Sequence, residues 1–342
     1  MPLRVTFHPN RISITPHPTT KHFEDQFEQS TWMQSINSLR NLRVAGNPFL
    51  LSKATKRRMQ DRIMAMYRLA TPRTVVTTSN KLLYNFRCAF ITLTLPATQM
   101  HTDKEIKELA LNQLLVELRK HYDMQNYIWK AELQANKNIH FHIVTDAFVQ
   151  FHALQRRWNR ILSKLGYIAS FQNRMLAMDF KTYYQNALSY NKGLRRIDAL
   201  NRYKKGLSEN WSNPNSVDVR VVKSDKMIAS YMSKYMAKDI VEKDKGEYTE
   251  EEIALLARGK KFGRSWFCSR SISRLKTSFN FSMSKVVEIF EEIEQHESTK
   301  EFSGDFFRVF YFYYNRLSNY IQNFIRGWLM HNAYLSNYIY PT

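Results

Sequence analysis

Two alternating runs joined by a short polar connection constrain this chain more than any other feature. In YIWKAELQ (127–134), Tyr127, Trp129, Ala131 and Leu133 fall on one face and Ile128, Lys130, Glu132 and Gln134 on the other. In IHFHIVT (139–145), Ile139, Phe141 and Ile143 share a face, with His140 and His142 opposite. With Asn136, Lys137 and Asn138 between them, the runs read as a β-hairpin. A three-residue loop at 136–138, with Asn138 as its left-handed residue, pairs odd positions with odd and even with even. Glu132, His140 and His142 then converge on one face. A two-residue loop would slip the register by one, place His140 beside Leu133 and waste both alternations. Two imidazoles and a carboxylate suit a divalent ion with open coordination positions that polarises a phosphoryl oxygen; zinc is compatible and not required. The competing reading is the ordinary alternation of a surface strand.

The neighbouring segments supply the rest of a sheet. CAFITLTL (88–95) is β-branched and aromatic and stops at Pro96, which marks a strand. Thr102 and Glu105 form a capping box, and Ile106, Leu109, Ala110, Leu114 and Leu118 carry a helix to about Tyr122. Residues 152–165 are an amphipathic helix ended by Gly166, VDVRVVK (217–223) is a strand, and Ser224 caps a helix over 225–239. The order β-α-β-β-α-β-α predicts an α+β fold, a ferredoxin-like (split βαβ) antiparallel sheet with helices on one face. Around this core, 87–240, we place an extended arm at 1–50, a basic helix and connector at 51–86, an insertion of short helices at 167–216, a charged and basic linker at 241–282, and an aromatic-rich accessory region at 283–342.

The chain carries 51 Lys and Arg against 30 Asp and Glu, a formal charge of +21. That excess favours a polyanionic partner, nucleic acid first. Lys56, Arg57 and Arg58 in the KATKRR run, and Arg264 and Arg270 in GRSWFCSRSIS, are the candidate phosphate contacts. With no G-x-x-x-x-G-K-[ST] and no G-x-G-x-x-G there is no case for a P-loop ATPase or dinucleotide enzyme, so unwinding must come from another protein. Two cysteines without C-x-x-C argue against a disulfide framework or cysteine zinc site, and no apolar run reaches the ~18 residues of a membrane span. A cytoplasmic protein is expected.

The helix over 225–239 carries Tyr231 and Tyr235 four apart, with Lys234 and Lys238 each three after a tyrosine. A phenol of pKa about 10 is a poor nucleophile, and a nearby ammonium together with a polarised phosphate would help it attack. The plainer reading packs Met227, Ile228, Met232 and Met236 on the sheet and leaves the tyrosines at the margin.

With these parts in order, 90–238 resembles the HUH endonucleases that initiate rolling-circle replication of single-stranded DNA phages and small plasmids. The resemblance is carried by FITLTLP, by AELQANKNIHFHIVTD and by YMSKYMAKD. The last is the most specific and is similar to the two-tyrosine initiators of small icosahedral phages. Lys137 stands where relatives often have a turn glycine. The resemblance implies Mg²⁺ or Mn²⁺ on His140, His142 and Glu132, with Tyr231 and Tyr235 as nucleophiles. It implies nicking and joining of a single-stranded DNA origin, alongside a host helicase and DNA polymerase. Two other readings stand beside it: a non-catalytic single-stranded DNA or RNA-binding protein, and a related transposase or mobilisation relaxase.

Overall fold

The structure, a computed structural model, describes residues 3–16, 53–76, 81–222, 224, 227–228, 249–250, 253–254, 257–258, 262–275, 277, 279–282, 286–304 and 307–335. It is α+β with antiparallel sheets. The elements used below are, in chain order, β1 (Leu3–His8), β2 (Arg11–Pro16), α1 (Lys53–Leu69), β3 (Arg73–Val76), β4 (Leu82–Phe86), β5 (Cys88–Leu93), the helical run α2 (103–122), β6 (Tyr127–Leu133) and β7 (Ile139–Thr145). There follow α3 (Phe151–Lys164), α4 (Tyr167–Leu176), α5 (Phe180–Tyr190), α6 (Arg196–Ser208), β8 (Val217–Val222), β9 (Trp266–Cys268), α7 (Arg270–Arg274), β10 (Phe279–Ser282), α8 (Val287–Gln295), β11 (Lys300–Gly304), β12 (Phe307–Tyr311) and α9 (Asn319–Leu335). No helix among the described residues is long and apolar enough to cross a membrane.

The main sheet has the order β8-β5-β7-β6-β9, and each neighbouring pair is antiparallel. Its odd-numbered face carries Ile91, Leu93, Trp129, Ala131, Ile139, Phe141 and Ile143, which pack in one core with α2 and α3. The expected capping box starts α2: Glu105 N–H donates to Thr102 Oγ1 at 3.2 Å and the Thr102 N–H donates to Glu105 Oε2 at 2.8 Å.

The even-numbered face changes character along every strand. Cys88 and Phe90 give way to Thr92, Val144 to His142 and His140, Ile128 to Lys130 and Glu132, and Val222 to Arg220 and Asp218. Because the strands are antiparallel and in register, these steps line up across β5, β7 and β6, while β8 turns polar one pair sooner, with Arg220 opposite Phe90. The apolar half joins the second core, which includes Met59, Ile63, Met66 and Leu69 of α1. From Ile63 to Ala70 every residue of α1 is buried, so this half of the helix lies between layers rather than presenting a single apolar stripe.

Several expectations change here. Residues 3–16 are not an extended arm. LRVTFH and RISITP alternate, Pro9 and Asn10 make the turn, and Val5, Phe7, Ile12 and Ile14 are core residues. Prolines that read as breakers sit in the turn and at the strand end. The hairpin is part of a second sheet, β10-β1-β2-β12-β11, so the two ends of the described chain share one layer. The segment 241–282 is more than a linker, since β9 is the edge strand beside β6 and β10 pairs with β1. The connector in 51–86 is the β3–β4 hairpin. Within 167–216 the expected short helices are α4, α5 and α6.

One buried ion pair pins the first hairpin to α1. Arg11 donates to both carboxylate oxygens of Asp61, at 2.6 and 2.8 Å, and His8 Nδ1 lies 3.3 Å from Asp61 Oδ2. Burial raises the Asp61 pKa, but hydrogen bonding by His8 and Arg11 and the Arg11 charge outweigh it, so the carboxyl sits below its ordinary range. A folded pKa below the unfolded value of about 3.9 supplies stability that is complete above that value and is lost as pH falls through the lower, folded one. Asp61→Asn leaves Arg11 buried without its counter-charge and should cost about 3–5 kcal/mol near neutral pH. Urea unfolding over a pH series should show that cost shrinking below about pH 4. Parallel acid limbs for the two proteins would exclude the linkage.

Candidate metal centre

The hairpin register puts the three candidate ligands together. Leu133 pairs with Ile139, Glu132 with His140, Ala131 with Phe141 and Lys130 with His142, the even-with-even pairing expected from the alternation. The loop itself differs by one residue. Gln134 N–H donates to Asn138 O at 2.9 Å and Lys137 N–H to Gln134 O at 2.8 Å, so the loop is 135–137. Lys137, with φ 64°, takes the left-handed position instead of Asn138. The Asn138 side chain is engaged elsewhere, with its Nδ2 donating to Ala97 O at 2.8 Å and its Oδ1 accepting from Gln99 N–H at 2.9 Å. The hairpin end is thereby fixed to the loop that follows β5.

Glu132, His140 and His142 are all buried, and one ligand atom from each lies within 4.8 Å of the others. Glu132 Oε1 and His142 Nε2 are 3.0 Å apart, and the two imidazole centroids are 4.4 Å apart. A carboxylate accepts, and this contact suits a His142 ring with its proton on Nε2. Thr92 Oγ1 lies 3.3 Å from His142 Nδ1 and can orient that ring from the neighbouring strand. The donor set fits a divalent ion: the 3.0 Å separation is close to the roughly 3 Å expected between adjacent ligands of an octahedral ion held at ~2.1 Å.

The register extends beyond the triad. Asp218, Thr92, His142, Lys130 and Trp266 form one row across β8, β5, β7, β6 and β9. Lys130 is buried beside His142. Arg62 of α1 holds the far end of the row: its guanidinium is 5.8 Å from the Trp266 ring, and Nη2 donates to Ser273 O at 2.9 Å. Alternation along single strands does not assign Thr92, Lys130 or Arg62 to the site. Their signal is register arithmetic, usable only once the strand order is known. Asp218, a spare carboxylate by its place near the start of β8, is paired with Arg220 at 2.8 Å and is not among the clustered ligands.

Tyr231, Tyr235, Lys234 and Lys238 lie outside the described residues. The approach to them is described: β8 ends at Val222, Met227 N–H donates to Ser224 Oγ at 3.3 Å as an N-cap should, and Ile228 is buried in the second core. Of the candidate phosphate contacts, Arg57 and Arg58 are exposed near the start of α1 and Lys56 is half-buried. Arg264 lies 5.4 Å from the Phe267 ring, and Arg270 is exposed at the start of α7. The Arg62–Ser273 bond joins α1 to α7, so the two basic segments belong to neighbouring helices.

Residues 88–240 match the family described as Replication-associated protein ORF2/G2P. The match starts at the first residue of β5, takes in the three candidate ligands Glu132, His140 and His142 and runs past the tyrosine motif. It associates this part of the chain with DNA replication. No curated protein and no solved structure matches the chain.

The turn at Lys137 gives a direct test of the hairpin. A lysine in the left-handed region is strained, whereas glycine enters it without a Cβ penalty. Lys137→Gly should therefore raise stability by about 0.5–1 kcal/mol, and Lys137→Val should lower it by at least as much. Chemical denaturation of the three proteins measures this, and equal stabilities would rule out the left-handed turn.

Proposed function

We propose that the chain is an HUH-type endonuclease that nicks and joins single-stranded DNA to initiate rolling-circle replication. The observation that carries the reading is the convergence of Glu132, His140 and His142 from paired strands within the span that matches the replication-associated family. The strand order β8-β5-β7-β6, with α2 and α3 packed on the odd face, supports a split βαβ, ferredoxin-like core. On this reading His140, His142 and Glu132 hold Mg²⁺ or Mn²⁺. When bound, the ion polarises a non-bridging oxygen of the scissile phosphate and neutralises charge there.

The remaining steps belong to the chain's own groups. A phenol oxygen of Tyr231 or Tyr235 attacks phosphorus, the phosphorus bond to the 3′ oxygen breaks, and the chain keeps the 5′ phosphate as a tyrosyl ester. The phenol proton leaves as the 3′ hydroxyl gains one, so no water or ATP is consumed and the released hydroxyl can prime a polymerase. Lys234 and Lys238, each three residues after a tyrosine, favour the phenolate. Two tyrosines let one hold the parental strand while the other cuts the regenerated origin. Lys56, Arg57, Arg58, Arg264 and Arg270 contact the DNA backbone and supply affinity independent of sequence. A host helicase unwinds the duplex.

The test is a covalent adduct. Wild-type protein incubated with pooled single-stranded oligonucleotides and Mn²⁺ should give a denaturant-resistant protein–DNA species. Tyr231→Phe and Tyr235→Phe should each retain some of it through the remaining hydroxyl, and the double variant none. His140→Ala combined with His142→Ala should abolish the adduct while keeping most DNA affinity. An adduct formed by the double tyrosine variant would refute the nucleophiles. DNA binding without any adduct in the wild type would favour a non-catalytic binding protein.

A further inference from the structure

Away from the histidine face, a cavity of about 150 Å³ lies between the end of α1, the link from β4 to β5, and the segment 314–326, which includes the first turns of α9. Arg68, Arg87 and Arg326 line it together with tyrosines and the amides of Asn319 and Gln322, and no acidic residue among the described residues does. Arg87 Nη1 donates to Ala70 O at 2.8 Å, so one edge of that guanidinium is fixed to the end of α1. The Arg68 guanidinium lies over Tyr314, 3.9 Å from the ring centroid. Arg326 Nε is buried and has no hydrogen-bond partner among the described residues.

Neither 62–102 nor 306–342, the two stretches that build the cavity, contains an Asp or Glu, in a chain that has 30 of them. The half-buried guanidinium groups of Arg87 and Arg326 favour a counter-charge, and their planar fork matches phosphate oxygens. A cavity of about 150 Å³ accommodates a phosphate and its ester oxygens.

We infer that this cavity is a phosphate-binding subsite that holds a backbone phosphate of single-stranded DNA. A free nucleotide would be recognised here by its phosphate alone. A strand adds contacts elsewhere, and α1 presents Arg57 and Arg58 roughly 15 Å from Arg68 along the same rigid helix. The subsite anchors the strand at a distance from the bond being cut, in addition to the phosphate contacts proposed on α1 and α7. The inference rests on the reading that the chain acts on DNA.

The experiment measures binding of a fluorescent single-stranded oligonucleotide to the full chain in EDTA across a salt series. It compares wild type, Arg87→Gln, Arg326→Gln and an exposed control, Arg119→Gln. Loss of one phosphate contact lowers the slope of log affinity against log salt by ~0.7. Each cavity variant should show that loss with weaker binding, and the control should keep the wild-type slope. Wild-type slopes in both cavity variants overturn the subsite.

Arginine-selective labelling of the wild type, read by mass spectrometry, covers the case of a variant that does not fold. The oligonucleotide should protect Arg87 and Arg326, and absence of protection overturns the inference. Protection by inorganic phosphate or a mononucleotide but not by the oligonucleotide also overturns it, in favour of a small-molecule site. Failure of the nuclease reading looks different: no tyrosyl adduct forms, while the salt slopes still separate cavity variants from control.

Discussion

The candidate site depends on one pairing: Glu132 opposite His140 in an antiparallel hairpin. Side chains alternate with a period of two, so a slip of one residue would send the histidines into the helical core and Phe141 and Ile143 to the other face. Both errors are expensive, because fully burying one such apolar side chain is worth about 1.5–3 kcal/mol. The register is also fixed at its end by the Lys137 turn and by the bonds from Asn138 to Ala97 and Gln99. The loop following β5 and the hairpin therefore hold each other in place, and Thr92 of β5 reaches His142.

The division of the even face follows from the same alignment. Its apolar half must be covered, and α1 covers it, buried from Ile63 onward because the second sheet and α9 lie in the same core. Its polar half keeps the imidazoles, Glu132 and Lys130. Arg62 connects the halves, since it leaves the roofing helix to reach Trp266 at the end of the ligand row. The N-terminal hairpin, fixed by Arg11 and Asp61, thus belongs to the layer that holds α1 over the sheet.

The sequence disclosed whatever local patterning decides. The hairpin alternation, the Thr102–Glu105 capping box and the strand at 217–222 could all be read from spacing. So could the clustering of Glu132 with His140 and His142, because one register serves both alternations. The rest needed long-range pairing. That β9 adds to β6, and that 3–16 pairs with 279–282 and 307–311, depends on partners far away in the chain. Proline content hid the first hairpin, because a proline in a two-residue turn looks the same in sequence as one that breaks a strand. The left-handed residue is Lys137 rather than Asn138 because the usual preference for asparagine is overridden by the buried bonds Asn138 makes. Lys130 and Arg62 escape a strand-by-strand reading because each matters only through a neighbour on another strand or helix.

The central claim is that this register gathers two imidazoles and a carboxylate onto one divalent ion. Its most direct test is pulsed electron paramagnetic resonance of Mn²⁺ bound to the whole chain. The account predicts ¹⁴N couplings from imidazole that weaken in His140→Ala or His142→Ala, vanish in the double variant and persist in His101→Ala. Mn²⁺ bound with no nitrogen coupling, or with a coupling that survives in the double variant, would contradict it.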